Sequence, residues 1–247
     1  MTGIARPSAS LTTLDHLSYT QQSGVLLDKT IEKRNEWQRY LSSLYWLGGS
    51  TCSGKTTICA QLSERFGVTV SHRDDFIEDH FKRANPQDHP AICEWLYLRK
   101  EATRAEILER SVDDLVTLLI GAFREDFALT QEDLLKEKLA SGTVVEGLRL
   151  LPDIIAPLLE RSNLAAWLVL SPDLHRTLIE ARSAKSAHRE TTVEAARLRE
   201  HLSQTFIGLG GRLTEMAAER GTEVIEIRTM EELREVPDTL ARIWGLS

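Results

Sequence analysis

The chain has 247 residues, 42% hydrophobic and 27% charged, with 30 basic against 37 acidic side chains and a net charge of −7. Those fractions exclude a disordered tail, a collagen and a coiled-coil rod, and the length allows one large domain or two small ones. The acidic balance argues against a nucleic-acid surface, which needs a positive stripe.

Residues 1–26 are rich in Ser, Thr and Gln and lack helical periodicity, so they read as a loose arm. Asp28 to Leu44 turns helical, with Ile31, Trp37, Leu41 and Leu44 near one face. Leu44-Tyr45-Trp46-Leu47, ending in Gly48-Gly49, reads as a buried strand entering a glycine loop. Thr57 to Phe66 is a helix closed by Gly67, and Val68-Thr69-Val70 a second strand running into Ser71-His72-Arg73-Asp74-Asp75. Phe76 to Pro90 is charged and broken by Pro86 and Pro90. Ala102 to Phe127 gives a long amphipathic helix and Gln131 to Ala140 a shorter one. Thr143-Val144-Val145, stopping at Glu146-Gly147, is a third strand, and Ala165 to Leu170 a fourth. Pro172 to Arg220 is mostly helical, weakened at Gly208, Gly210 and Gly211; Thr222 to Ile227 is a fifth strand and Met230 to Trp244 a last helix.

Strands alternating with helices predict an α/β domain, a parallel sheet with helices on both faces. We divide the chain into an arm and helix over residues 1–43 and a catalytic domain over 44–247. Cys52, Cys59 and Cys93 are odd in number and form no C-x-x-C pair, so they read as reduced thiols of a cytoplasmic protein. No run approaches the roughly 18 apolar residues of a membrane span, and the N-terminus has no apolar stretch of the secretory type.

Gly49-Ser50-Thr51-Cys52-Ser53-Gly54-Lys55-Thr56 fits G-x-x-x-x-G-K-[ST], between a predicted strand and a predicted helix. Glycines let backbone N–H groups approach phosphate oxygens, and a helix N-terminus adds partial positive charge. In this pattern Lys55 reaches the β- and γ-phosphates and Thr56 ligates Mg²⁺, with Thr57 opening the helix. The nucleotide-binding set is therefore Gly49 through Thr57.

A parallel sheet gathers its site at the carboxyl ends of its strands. Asp74 and Asp75 end the second strand, where a carboxylate can orient an acceptor hydroxyl, help hold Mg²⁺ or cap the next helix. Glu146 ends the third strand, where phosphate-loop enzymes carry an acidic group near Mg²⁺. His72, Asp75, Asp79 and His80 match no metal-ligand spacing and read as a solvated face. After the fourth strand, Arg176 and Arg182, followed by Lys185, His188 and Arg189, form a cationic helix face that can close over a triphosphate.

The set Gly-Gly-Ser-x-x-Ser-Gly-Lys-Thr-Thr, Asp74-Asp75-Phe76, Val-Val-Glu146-Gly147 and the arginine lid resembles the phosphate-loop small-molecule kinases. It is most similar to the uridine kinase and nicotinamide riboside kinase group, over residues 44–245. The resemblance implies a five-stranded parallel sheet in the order 2-3-1-4-5, ATP and Mg²⁺, and transfer to a small-molecule hydroxyl, nucleoside-like in that group. By it Asp74 is the hydroxyl-activating residue, Lys55, Glu146, Arg176 and Arg182 complete the catalytic set, and Thr56, Asp74 and Glu146 hold the metal. It also implies an adenine pocket near Arg228 to Met230. Asp75, Phe76, His80 and Arg83, with Lys82 and Trp95, lie where the acceptor pocket belongs. Ile77-Glu78-Asp79 departs from the group's usual sequence after Asp-Asp-Phe. Chloramphenicol phosphotransferases and zeta-type toxins share the loop and the Asp, so an antibiotic or sugar-nucleotide acceptor is the alternative. A further alternative is a non-catalytic ATP-binding regulatory module. A GTP switch is unsupported, since no Asn-Lys-x-Asp is present. We expect a monomer or homodimer that binds neither nucleic acid nor membrane.

Overall fold

The computed structural model describes residues 33–184 and 192–247. Five strands form one sheet in the order β2-β3-β1-β4-β5: β1 Tyr45–Gly49, β2 Val70–His72, β3 Val144–Glu146, β4 Ala165–Leu170 and β5 Glu223–Ile227. Every neighbouring pair is parallel. The expected α/β architecture and strand order are what the molecule has.

The strands are apolar on both faces because both are covered. On β4, Ala165, Trp167 and Val169 point to one core, and Ala166, Leu168 and Leu170 to the other. The first core is closed by the helix over residues 33–41 (α1), α6 Val112–Glu137, α7 Pro152–Ile155 and α9 Val193–Arg220. The second is closed by α2 Lys55–Phe66 and α10 Met230–Trp244. Leu41 and Leu44 are fully buried in the first core, and Tyr40 Oη donates to the Leu134 carbonyl at 3.1 Å. The described part of the N-terminal extension is therefore packed into the same core as the sheet. Residues 1–32, with the arm and Ile31, lie outside the described residues.

Several element boundaries differ from expectation. β2 begins two residues late because Val70 pairs with Val144 and His72 with Glu146, which draws the polar Ser71-His72 into the sheet. The segment between β2 and α6 folds as a 3-10 turn, Arg73–Phe76, then α3 Ile77–Arg83, α4 Pro90–Lys100 and α5 Arg104–Glu109. Pro90 starts α4, where its missing N–H costs nothing. The long helix expected from Ala102 is split. Thr103 with Glu106, and Ser111 with Asp114, form two capping boxes that open α5 and α6 as separate helices. α6 then runs through the expected gap to Glu137. α9 is continuous across Gly208, Gly210 and Gly211. A Cβ on Gly208 would sit 3.2 Å from Val116 Cγ2, and one on Gly210 3.1 Å from Ser50 Oγ. Gly208 and Gly210 thus buy close packing of α9 on α6 and on the phosphate loop.

Candidate active site

The loop between β1 and α2 takes its shape from residues without room for a side chain. A Cβ on Gly49, at φ 132°, would lie 2.2 Å from the Leu168 carbonyl oxygen, and one on Gly48 2.3 Å from Trp167 Nε1. The Ser50 N–H instead donates to Leu168 O at 2.8 Å, tying the loop to β4. Gly54 caps α2 in the left-handed region at φ 77°, with no side-chain cap and no acidic residue in the first turn. The N-terminal amides of a 12-residue helix thus face the loop with no protein anion on them.

Lys55 is almost wholly buried. Its Nζ donates to Ser50 O at 2.9 Å and Gly49 O at 3.3 Å, spanning the hollow of the loop. Burial lowers its pKa, opposed by the Asp74 and Glu146 carboxylates. His175, on α8 Pro172–Ala184, is buried behind the loop and bonded to the Thr51 backbone; burial pulls its pKa down to about 4, so its ring is neutral at pH 7. Burial pushes the Cys59 thiol up to about 12, which leaves it an unreactive core residue.

Glu146 is 2% exposed at the end of β3. Its Oε1 accepts from Thr56 Oγ1 at 3.1 Å and lies 2.6 Å from His72 Nδ1, while its buried Oε2 has no partner. An orphaned carboxylate oxygen beside the loop threonine suits a hard cation with oxygen ligands, so these residues fit Mg²⁺. Asp74 stands across the opening, its carboxylate accepting from the Leu148 N–H at 3.2 Å and remaining half-exposed.

The loop and Asp74 border one cleft of about 930 Å³. From the expected sets it is lined by Thr51 through Thr57, Asp74 and Arg182, together with Trp95. Gly49, Ser50 and Glu146 do not line it, though Glu146 accepts from the lining Thr56. Arg182 Nη1 is 3.8 Å from Cys52 Sγ, placing one lid arginine against the loop. Arg176 is turned to Asp173 at 3.6 Å and is not among the lining residues; Lys185, His188 and Arg189 lie outside the described residues. Arg228 to Met230 forms the cap of α10 and does not line the cleft; Leu233, one turn on, approaches Gly54.

Four residues expected at the acceptor pocket are placed elsewhere. Asp75 is exposed outside the cleft. Phe76 stacks under the Arg73 guanidinium at 4.2 Å, and Ile77 takes the cleft position. Arg83 is held by Asp79, Glu132 and Asp133 and does not line the cleft. His80 is not on a solvated face: it is fully buried, with Nδ1 2.7 Å from Asp126 Oδ1 and Nε2 2.7 Å from Asp133 Oδ2.

This buried cluster leads to a residue that sequence reading missed. Arg149 is 5% exposed, and its Nη1 donates to Asp126 while Nη2 donates to the Arg73 carbonyl at 2.5 Å. Its Nε lies 3.8 Å from Asp74 Oδ1. A cation is thus fixed behind the Asp74 carboxylate from two sides. The signal was present: Arg149 is a lone charge in the apolar run after Glu146-Gly147, and Asp126 and Asp133 sit seven apart on the apolar face of α6.

No family model matches the chain, and no curated protein matches it. Among solved structures, it is similar to a shikimate kinase from Bacteroides thetaiotaomicron, 13% identical over 82% of this chain and 98% of that one, with a TM-score of 0.43. It is also similar to an uncharacterized protein from Eubacterium ventriosum, 13% identical over 81% and 96%, with a TM-score of 0.39. The fold rests on the chain's own sheet order and loop rather than on these likenesses: a phosphate-loop α/β domain. Among the described residues, no helix is long and apolar enough to cross a membrane.

Proposed function

We propose that the protein is an ATP-dependent phosphotransferase that moves the γ-phosphoryl of Mg·ATP to a hydroxyl of a small molecule. One observation carries this reading: buried Lys55 of a phosphate loop, Thr56 with an orphaned Glu146 oxygen behind it, and a braced but open Asp74 meet at one cleft. A loop and a metal carboxylate alone would serve any nucleotide-binding protein. Asp74 on the open side is what a hydroxyl acceptor needs.

The roles follow from position. The loop amides and Lys55, released from the Gly49 and Ser50 carbonyls, bind the β- and γ-phosphates. Arg182 adds charge from the lid side. Thr56 and Glu146, with Asp74 near, would hold Mg²⁺, which neutralises phosphate charge when bound. Asp74 accepts a hydrogen bond from the acceptor hydroxyl, the new O–P bond forms as the bond to the departing diphosphate breaks, and the hydroxyl proton passes to the Asp74 carboxylate. Positioning and charge neutralisation lower the barrier without a covalent enzyme intermediate. The resemblance to the uridine and nicotinamide riboside kinase group supports this reading through Asp74-Asp75-Phe76 and Glu146-Gly147. A cytoplasmic protein working as a monomer or homodimer, without nucleic acid or membrane, fits its charge and composition.

The test is Asp74→Asn, assayed with Mg·ATP and a pooled acceptor panel by mass spectrometry. Transfer should fall about 10²–10⁴-fold while ATP affinity stays within about threefold, since the asparagine oxygen can still accept from the Leu148 N–H. Undiminished transfer by this variant refutes the role of Asp74. Tight ATP binding by the wild-type chain, with no acceptor phosphorylated, points to the regulatory module instead.

A further inference from the structure

The cleft has two unlike sides. The loop side, Thr51 through Thr57, is polar. The side beyond Asp74 is walled by Ile77, Trp95, Leu119, Phe123, Leu148 and Phe206, drawn from α3, α4, α6, the segment after β3, and α9. Three of the six are aromatic. Among the described lining residues this side has no Ser, Thr, Asn, Gln, Tyr or His. Its polar groups are Asp74, Arg99 and Arg149. Both terminal nitrogens of Arg149 are already taken by Asp126 and the Arg73 carbonyl. Arg99 lies over the Phe81 ring and 3.7 Å from Glu78, too far for a hydrogen bond, and 45% of its side chain is exposed. Among these described residues Asp74 is left as the one carboxylate on this side, with Arg99 as its one exposed cation.

A nucleoside or sugar brings several hydroxyls, carbonyls or amides. Asp74 and Arg99 can match one or two of these; the rest would lose their water against the apolar wall and find no side-chain partner, and each unmatched group weakens binding about tenfold. A flat apolar ring would instead pack on the partly exposed rings of Trp95 and Phe206 and bury its faces at no polar cost. From this we infer that the acceptor is a ring-bearing, largely apolar alcohol that presents a single hydroxyl to Asp74. The inference rests on the phosphotransferase reading for the transfer step, but its binding half stands on the wall alone. The balance of the step is unchanged: the ring alcohol's oxygen gains the phosphoryl group, ADP leaves, and Asp74 receives the proton.

The experiment pairs transfer with binding in the full chain. Phosphorylation of 2-phenylethanol and 2-naphthaleneethanol is compared with that of uridine and glycerol under Mg·ATP. Equilibrium dialysis measures 2-naphthaleneethanol binding with a non-hydrolysable ATP analogue present. The expected result is saturable binding and transfer to the ring alcohols, with KM at least about tenfold below that for uridine. Phosphorylated uridine or glycerol with unbound ring alcohols overturns the acceptor class and leaves the phosphotransferase reading intact. Saturable ring binding with no acceptor phosphorylated upholds the ligand class and overturns the transfer reading. Neither binding nor transfer overturns both. Phe206→Ala, at a half-buried position, should raise the dissociation constant of 2-naphthaleneethanol about tenfold with ATP affinity within about twofold. Trp95→Leu, which keeps an apolar side chain, is the second variant. Unchanged naphthyl binding in both removes the wall from recognition.

Discussion

The phosphate loop and the apolar wall of the cleft hold buried charge in opposite ways. At the loop, Lys55 is buried against backbone carbonyls, within eight consecutive residues. Behind the wall, Arg149, Asp126, His80, Asp133 and Arg83 neutralise one another across 69 residues of chain, from α3 through α6 to the segment after β3. Backbone acceptors are there whatever the side chain does. Charged partners are not, and removing one strands the rest in low dielectric. The loop should therefore tolerate the loss of its cation structurally, while the wall should not.

His80→Ala is the sharpest test of that difference. It leaves Asp126 and Asp133 facing an empty site, and stability to urea should fall by about 3–5 kcal/mol. Arg149 would then lose its alignment behind Asp74, so transfer should suffer even where the variant is still folded. A fall below about 1 kcal/mol would show that the cluster is held by Arg149 and Arg83 without the imidazole.

Lys55→Met sits at the other end. Transfer should fall about 10²–10³-fold, or roughly 3–4 kcal/mol of barrier, with the urea midpoint little changed. Since burial already lowers the pKa of Lys55, the folded state bears a desolvation cost that the methionine lacks. Gross unfolding of this variant would erase the distinction between the two regions.

His175 tests how the loop is supported from behind. Its pKa in the folded chain is about 4, against an ordinary 6.5. Between those values the unfolded chain binds a proton that the folded chain refuses, so stability falls as pH drops from 6.5 towards 4, by up to about 3 kcal/mol. His175→Gln should flatten that slope in urea titrations at pH 4, 5 and 7. An unaltered slope would assign the acid sensitivity to other groups.

The smallest effect belongs to the seam where the two regions touch. Gly210→Ala would set a methyl 3.1 Å from Ser50 Oγ, a contact that must relax by a few tenths of an ångström. That cost is offset by the roughly 1 kcal/mol an alanine gains over glycine inside a helix, and the net change should stay below about 1 kcal/mol. A larger loss, with weakened ATP binding, would show that α9 fixes the loop's shape.

The same division governs what could be read in advance. The strand–loop–helix unit at residues 45–66, the carboxylates at Asp74 and Glu146, and the sheet order implied by the resemblance were legible, because each depends on neighbours within a few residues or on a recurrent unit. The two capping boxes at Thr103 and Ser111 were written in the sequence at their fixed three-residue spacing, and they decide the break that periodicity alone missed. Gly208 and Gly210 looked like a weak point because helix propensity counts only the local cost of glycine, whereas their packing partners lie about 90 and 160 residues away.

The sequence by itself determined a phosphate-loop α/β chain with two acidic strand ends, since backbone conformation and strand polarity are local properties. Only the tertiary structure decided which side chains border the cleft. It placed His80 among carboxylates rather than in solvent, exchanged Phe76 for Ile77, brought in Arg149, and walled one side of the cleft with residues from five separate elements. Burial and charge pairing are set by what packs around a residue in three dimensions, and along the chain those neighbours are far away.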